Sequence, residues 1–228
     1  MPVLGVERAC TTGPATTSST IRGVEVRLVD LGLDGDAVAC AESWLTPAEV
    51  ARARRGTPAV HRRRVLLRAA LRSALAEELG TDPASVPLEA TAAGRPFVAG
   101  TAVDVSCSAS GVLGVVAVAR DQRVGVDVQR VVPWSVSVLD EGWLAPDERR
   151  ALTALPLAAR PEATTRAWTQ KEAVLKARGT GLLDDPSTIL TYVGRSAGVV
   201  AGWTVDNLPV PAGWMASLAV GPVKETSA

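Results

Sequence analysis

Between residues 61 and 79 apolar side chains recur every four positions, with Leu67, Leu71 and Leu75 in one stripe and Gly80 immediately after. That spacing predicts an amphipathic helix whose stripe is core and whose end is capped by glycine. Residues 103–105, 112–119 and 124–128 are β-branched runs broken by Gly and Ser, the pattern of neighbouring antiparallel strands. Short helices open at Thr46-Pro47 and Ala145-Pro146. These alternations of helical and strand periods predict an α+β fold.

The pattern also repeats. Leu45-Thr46-Pro47-Ala48-Glu49 resembles Leu144-Ala145-Pro146-Asp147-Glu148 at an offset of 99, and each segment precedes an Arg/Ala-rich helical stretch. Thr91 with Gly94-Arg95 faces Thr191 with Gly194-Arg195 at an offset of 100, Val103-Asp104 faces Val205-Asp206, and residues 111–119 resemble 212–220. Similar pieces in the same order imply two related halves, residues 1–120 and 121–228, with a boundary near Arg120-Asp121. If the halves pack face to face, the groove between them is the natural place for a ligand.

Composition narrows the function. The 24 basic and 24 acidic side chains cancel, so no overall field draws nucleic acid or an anionic membrane, and an anion must be met by a local cluster. One Tyr and one Phe leave little stacking platform for single-stranded nucleic acid. Cys10, Cys40 and Cys107 are widely spaced with no CxxC pair, which argues against a disulfide framework and a zinc site and points to a reducing, cytoplasmic setting. No stretch approaches the roughly 18 continuous apolar residues of a membrane span. Residues 1–20, Thr/Ser-rich from residue 11 onward, read as a frayed leader.

Lysine is scarce in a chain that uses arginine nearly everywhere, yet Lys171 and Lys176 share one predicted helix. Glu172 and Lys176 stand four apart, on one face with Trp168 and Thr169, either as an exposed ion pair or as a carboxylate and a compact point charge aimed at a ligand. On the strand around residues 125–129 the period of two sends Asp127 and Gln129 to the same face. A hard cation such as Mg²⁺ takes one or two protein carboxylates and fills its other positions with water and phosphate, a count that Asp127 and Glu172 satisfy. The run from Val103 to Ser108 places small hydroxyl and thiol groups where a phosphate could approach, and Gly94-Arg95-Pro96 is a turn presenting one guanidinium. The dense basic stretch of residues 52–64 is a phosphate-binding rim, a nucleic-acid patch or a solvated helix face. GxSxG, Walker, GxGxxG and HExxH motifs are absent, and the lone His61 has arginines but no carboxylate beside it in sequence.

Three segments match one known family in order. GRPFVAG followed by VDVSCS resembles a GKP turn and a strand ending in Ser-His-Ser; GVDVQ resembles a G(I/V)D(I/V)E strand; WTQKEAVLKARGTGL resembles a WxxKEAxxKxxGxGL helix. Over residues 45–220 the sequence resembles the surfactin-type 4′-phosphopantetheinyl transferases, also called holo-acyl-carrier-protein synthases. The resemblance implies a pseudo-dimer of two α+β halves with the active site in the cleft between them.

It also implies a reaction and a set of roles. The phosphopantetheine group of coenzyme A passes to a serine of an acyl or peptidyl carrier protein, with Mg²⁺, releasing 3′,5′-ADP. Asp127 and Glu172 become metal carboxylates, with Gln129 where many members have a third. Glu172, Lys176 and Asp127 become the catalytic set; Arg95, Ser106, Cys107, Lys171, Lys176, Arg52 and Arg64 become the coenzyme A contacts, with Lys171 alternatively a supporting charge. Cys107 stands where most members have a His, and a neutral thiol is a weaker phosphate donor. The implied partners are coenzyme A and an acidic carrier from a polyketide, nonribosomal-peptide or fatty-acid synthase, met by a monomer without nucleic acid or membrane. The rival readings are a non-catalytic coenzyme A or carrier-binding module on the same fold and a nucleic-acid-associated protein.

Overall fold

A computed structural model describes residues 14–33, 35–92, 94–134, 142–180 and 184–222. The elements run β1 (Thr16–Ile21), β2 (Val24–Asp30), α1 (Asp36–Glu42), α2 (Pro47–Ala53), α3 (Pro58–Leu79), β3 (Leu88–Ala90), β4 (Pro96–Val98), β5 (Val103–Ser110), β6 (Leu113–Arg120), β7 (Gln122–Arg130), α4 (Pro146–Ala154), α5 (Arg160–Arg178), β8 (Ala197–Val200), β9 (Trp203–Asn207) and β10 (Trp214–Pro222). The chain is α+β, as its periodicities predict. Among the described residues no helix is long and apolar enough to cross a membrane.

Two four-stranded antiparallel sheets form, in the orders β1-β2-β6-β5 and β7-β10-β9-β8, beside a small β3-β4 hairpin. The strand period sorts the residues into layers. Val24, Val26, Val115 and Ala117 of the first sheet pack against Val124, Val126, Ala216 and Leu218 of the second, forming a core between the sheets. The opposite face of the first sheet, with Val105, Val116 and Val118, covers Leu66, Leu71 and Leu75 of α3. The outer face of the second sheet, including Val205 and Ala219, covers Val174 and Leu175 of α5. Each fully buried leucine stabilises this arrangement by about 1.5–3 kcal/mol.

Helix ends follow local chemistry. Thr57 Oγ1 accepts the Val60 amide to open α3, and Gly80 closes it in the left-handed region at φ 64°. The same construction then occurs twice. Glu49 of α2 accepts from the Thr46 amide and from Nε of the buried Arg72 on α3, while Arg72 Nη1 donates to the carbonyls of Pro83 and Val86. Glu148 of α4 accepts from the Ala145 amide and from Nζ of the buried Lys171 on α5, while Lys171 Nζ donates to the carbonyls of Pro186 and Ile189. Carboxylate and cation are 23 residues apart in both pairs, and in both the cation ties the helix to a Pro-initiated 3₁₀ turn.

Three expectations change. Residues 16–20 of the supposed frayed leader belong to β1, which pairs with β2 from Thr16↔Val29 to Ile21↔Val24; the remainder of that stretch, apart from Pro14 and Ala15, lies outside the described residues. Cys40 is disulfide-bonded, contrary to a chain without disulfides, because spacing along the sequence does not report proximity in space; Cys107 is free. The run from Val103 to Ser108, likened to a strand ending in Ser-His-Ser, does not end its strand, which continues to Ser110 in β5.

Candidate active site

The second sheet and α5 meet without a side chain between them at one point. A Cβ on Gly125 of β7 would stand 2.0 Å from the Ala173 carbonyl and 2.4 Å from the Ala177 amide, so only glycine lets the helix backbone rest on the strand. One position before the strand core, Arg123 donates Nε and Nη2 to the Ala177 carbonyl at 3.3 and 3.0 Å, holding the last turn of α5. This docking brings Lys176 against the strand, and its Nζ donates to Asp127 Oδ1 at 2.6 Å.

Asp127 is 1% exposed, and its two oxygens differ. Oδ1 accepts from Lys176 and from Ser108 Oγ of β5 at 2.6 Å, whereas Oδ2 is buried with no hydrogen-bond partner among the described residues. Glu172 Oε1 is buried and unpartnered in the same way. Burial pushes the Glu172 carboxyl above its ordinary range, and the negative charge of Asp127 adds to that rise while Lys176 opposes it. Two carboxylates and one ammonium leave a net negative centre with two desolvated lone-pair sites, an arrangement that costs free energy until something positive accepts them. A hard divalent cation fits that donor set. No group of three or more His, Cys, Asp and Glu gathers as a metal site among the described residues, so the acidic donors are these two, with the half-buried Gln129 next on the same strand.

Ser108 reaches Asp127 because β5 and β7, edge strands of different sheets, are joined by side chains rather than by a main-chain ladder. Asp104 Oδ2 accepts from the Val124 amide, Ser106 Oγ from the Val126 amide and Ser110 Oγ from the Arg130 amide, each at a separation of 20 residues. The alternation Asp-x-Ser-x-Ser-x-Ser is the signal of this seam, and period-two reading of residues 104–110 would have placed Ser108 on the same face as Ser106.

Two cavities open beside the centre. One, of about 250 Å³, is lined by Arg95, Ser106, Cys107, Lys176 and Gly179 together with Gly94 and Pro96. The other, of about 210 Å³, is lined by Arg52, Arg64, Arg68, Glu49 and Leu71, and again by Cys107. Cys107 is therefore shared between them. Burial raises the pKa of its thiol above the usual value, only partly opposed by Lys176 and Arg68, so it faces both cavities as a neutral group. Arg64 donates to the carbonyls of Arg52 and Arg55, and Arg68 is ion-paired with Glu49, so part of this basic rim is already engaged.

Arg95, Ser106, Cys107 and Lys176 thus line one cavity, Lys176 bridges it to the buried Asp127 with Glu172 close by, and Arg52 and Arg64 line the second cavity, which shares Cys107. Lys171 does not join them. It is fully buried, its three hydrogens are taken by Glu148 Oε2 and the carbonyls of Pro186 and Ile189, and this corrects the expectation of a coenzyme A contact in favour of an internal support. His61 does have a carboxylate, Glu42 Oε1 at 2.6 Å from its Nε2, supplied by α1 rather than by sequence neighbours. That pair lines a separate depression with Val38 and Pro58. Gly181 and Leu182, the end of the helix motif, lie outside the described residues.

A family model described as the 4′-phosphopantetheinyl transferase superfamily matches residues 123–201, which take in nearly all of β7 and then α4, α5 and β8. Among curated proteins the chain is 31% identical over 177 residues to a 4′-phosphopantetheinyl transferase, HetI, of Nostoc sp. (strain PCC 7120), covering 74% of this chain and 75% of that protein.

Proposed function

Since this chain belongs to the 4′-phosphopantetheinyl transferase superfamily, we propose that it moves the phosphopantetheine group of coenzyme A onto the serine of an acyl or peptidyl carrier protein at the centre formed by Asp127, Glu172 and Lys176. The observation that carries this reading is the pair of buried, unpartnered oxygens, Asp127 Oδ2 and Glu172 Oε1, beside a cavity whose lining includes Lys176, Arg95 and Ser106.

Asp127 and Glu172 would hold Mg²⁺, with Gln129 contributing its amide oxygen directly or through a water. When bound there, the ion supplies charge neutralisation to the pyrophosphate. The carrier serine oxygen attacks the β-phosphorus of coenzyme A, the bond from that phosphorus to the bridging oxygen breaks, and 3′,5′-ADP departs with the electron pair. Such a transfer is governed by positioning and electrostatics more than by covalent catalysis. Lys176 places a compact positive charge against the phosphates, Arg95 adds a planar fork, and Ser106 and Cys107 line the approach. Glu172 takes the serine proton on the oxygen it does not give to the cation. Arg52 and Arg64, on the cavity beyond Cys107, receive the 3′-phosphate end, and the Arg-rich stretch around them suits an acidic carrier.

The twofold construction of Glu49 with Arg72 and Glu148 with Lys171 supports reading residues 1–120 and 121–228 as halves of a pseudo-dimer with the site at their junction. The neutral thiol at Cys107 and the amide at Gln129 favour one alternative, a coenzyme A-binding module without turnover. Incubation with an apo-carrier, coenzyme A and Mg²⁺ separates the two. A carrier mass increase of one phosphopantetheine is expected; coenzyme A binding with no mass shift across fatty-acid, polyketide and nonribosomal-peptide carriers would favour the module.

A further inference from the structure

Asp104 touches more of the site's framework than any role so far requires. It lies on β5 with its side chain 13% exposed, where β5, β7, the turn before β4 and, through Arg123, the end of α5 converge. Its Oδ2 accepts from the Val124 amide at 2.8 Å. Arg95 Nη2 donates to Oδ1 and Oδ2 at 2.8 and 2.6 Å and to the Val124 carbonyl at 3.2 Å. Arg123 Nε lies 3.5 Å from Oδ2, and Arg123 itself holds the carbonyl of Ala177, the residue after Lys176.

The consequence for Arg95 is asymmetric. Nη2 is consumed by Asp104 and Val124, while Nη1 is buried with no partner among the described residues. That free nitrogen stands 3.8 Å from where a Cβ on Gly179 would be, and Gly179 shares the lining of the cavity with Arg95, Ser106 and Lys176. A guanidinium anchored through one nitrogen and open at the other needs little ordering when an anion arrives. Without the carboxylate, Arg95 and Arg123 would face each other as like charges across β5 and β7.

We propose that Asp104 is a positioning residue for coenzyme A: it clamps Arg95 by Nη2 so that Nη1 is presented to the phosphates, and ties that clamp through Arg123 to the helix end that carries Lys176. The proposal rests on the coenzyme A reading above. Asp104 makes no contact with the ligand, since its oxygens are taken by Val124, Arg95 and Arg123, and so acts through Arg95.

The test is calorimetric binding of coenzyme A together with steady-state transfer to a carrier, for wild type, Asp104→Asn, Arg95→Lys, Arg95→Ala and the Asp104→Asn/Arg95→Ala double variant. Asparagine keeps the acceptor for Val124 and removes the charge that holds Arg95. Asp104→Asn should raise Kd and KM for coenzyme A about tenfold with kcat at saturation within about twofold, and the double variant should bind no worse than Arg95→Ala alone. Unchanged coenzyme A affinity in folded Asp104→Asn, or fully additive losses in the double variant, would overturn the positioning role while leaving the functional reading intact. If Asp104→Asn does not fold, Arg95→Lys decides: it keeps the charge and loses the fork, so a comparable loss of affinity supports the clamp and wild-type affinity sinks it. Wild-type protein that neither binds coenzyme A nor modifies a carrier overturns the functional reading instead.

Discussion

β2 with α3 and β7 with α5 carry side chains at matching offsets, and two of the three matched positions have opposite charge. Arg27, Ser73 and Glu77 in the first region stand 99 or 100 positions before Asp127, Glu172 and Lys176 in the second. Arg27 is 4% exposed and complete: Nη1 and Nη2 donate to the Glu77 carboxylate at 2.9 and 2.7 Å, Nε to Glu25 at 2.6 Å, and Nη1 reaches Ser73. The second region inverts the pair and substitutes a carboxylate for the serine. Lys176 now satisfies a single oxygen of Asp127, and Asp127 Oδ2 and Glu172 Oε1 are left open. A bidentate arginine clasp closes its station, whereas two carboxylates sharing one lysine need a further cation. The scaffold supplies the geometry in both places, and three side chains decide which station is fully paired and which leaves oxygens unpartnered.

The largest effect should come from breaking the open member. Asp127→Ala and Glu172→Ala are each expected to reduce carrier modification by at least 10²–10³-fold (roughly, the scale of losing a principal electrostatic stabiliser) while the protein stays folded. Glu77→Ala, at the closed station, should leave turnover near wild type. Mass spectrometry of the carrier reads both. A carrier fully modified by the Asp127 or Glu172 variant would show that the open oxygens are not the reaction centre, and a Glu77→Ala enzyme as inactive as Glu172→Ala would erase the distinction between the two stations.

Next in size is the buried pair that both regions keep. Lys171 is fully buried with Glu148, which also accepts from the Thr191 amide and hydroxyl, so Lys171→Met strands a carboxylate inside the protein. Burial lowers the pKa of Lys171 while Glu148 counteracts that, as expected of an ammonium kept charged by its partner. The loss should be about 3–5 kcal/mol, read as a lower urea midpoint, with the Arg72→Met variant of the first region behaving alike. A Lys171→Met protein of unchanged stability that has lost only coenzyme A affinity would return Lys171 to the ligand site.

Gly125→Ala tests why the helix lies where it does. Its Cβ would meet the Ala173 carbonyl and Ala177 amide far inside contact distance, while the station 100 residues earlier carries Glu25. Displacing α5 should cost about 1–3 kcal/mol and lower transfer because Glu172 and Lys176 move together. Wild-type melting temperature and rate in Gly125→Ala would mean that the helix does not depend on direct backbone contact with β7.

What could be read before the structure, and what could not, follows from the range of each interaction. The stripe of Leu67, Leu71 and Leu75, the Gly80 stop and the face shared by Glu172 and Lys176 are set by neighbours within a helical turn or two, and the residues themselves declare them. Lys171 adjoins Glu172 in sequence, but successive helical residues point about 100° apart, so one faces Asp127 and the other faces Glu148. Arg27 and Glu77 are 50 residues apart, and only the packing of α3 on the first sheet joins them. β1 is exposed and Thr/Ser-rich; pairing with β2, which composition does not report, makes it a strand. The repeated segments were legible as scattered matches near an offset of 100, but the carboxylate-cation tie found at both places shows only in the packing of the helices.

The smallest effect concerns the thiol on the boundary of the two cavities. Cys107 points from β5 to the α3 side, lines both cavities, and stays protonated because burial outweighs the nearby Lys176 and Arg68. A neutral thiol is a weak donor, whereas an imidazole there can give a full N–H hydrogen bond to a phosphate and, when protonated, a charge-assisted one. Cys107→His should therefore raise kcat/KM for coenzyme A by about three- to tenfold, a gain on the order of one hydrogen bond. The added ring must fit beside Leu71 and Arg68, so the melting temperature is measured alongside the rate. Unchanged kinetics in a fully folded Cys107→His enzyme would remove position 107 from the phosphate path and leave Lys176 and Arg95 as the cations that line that cavity.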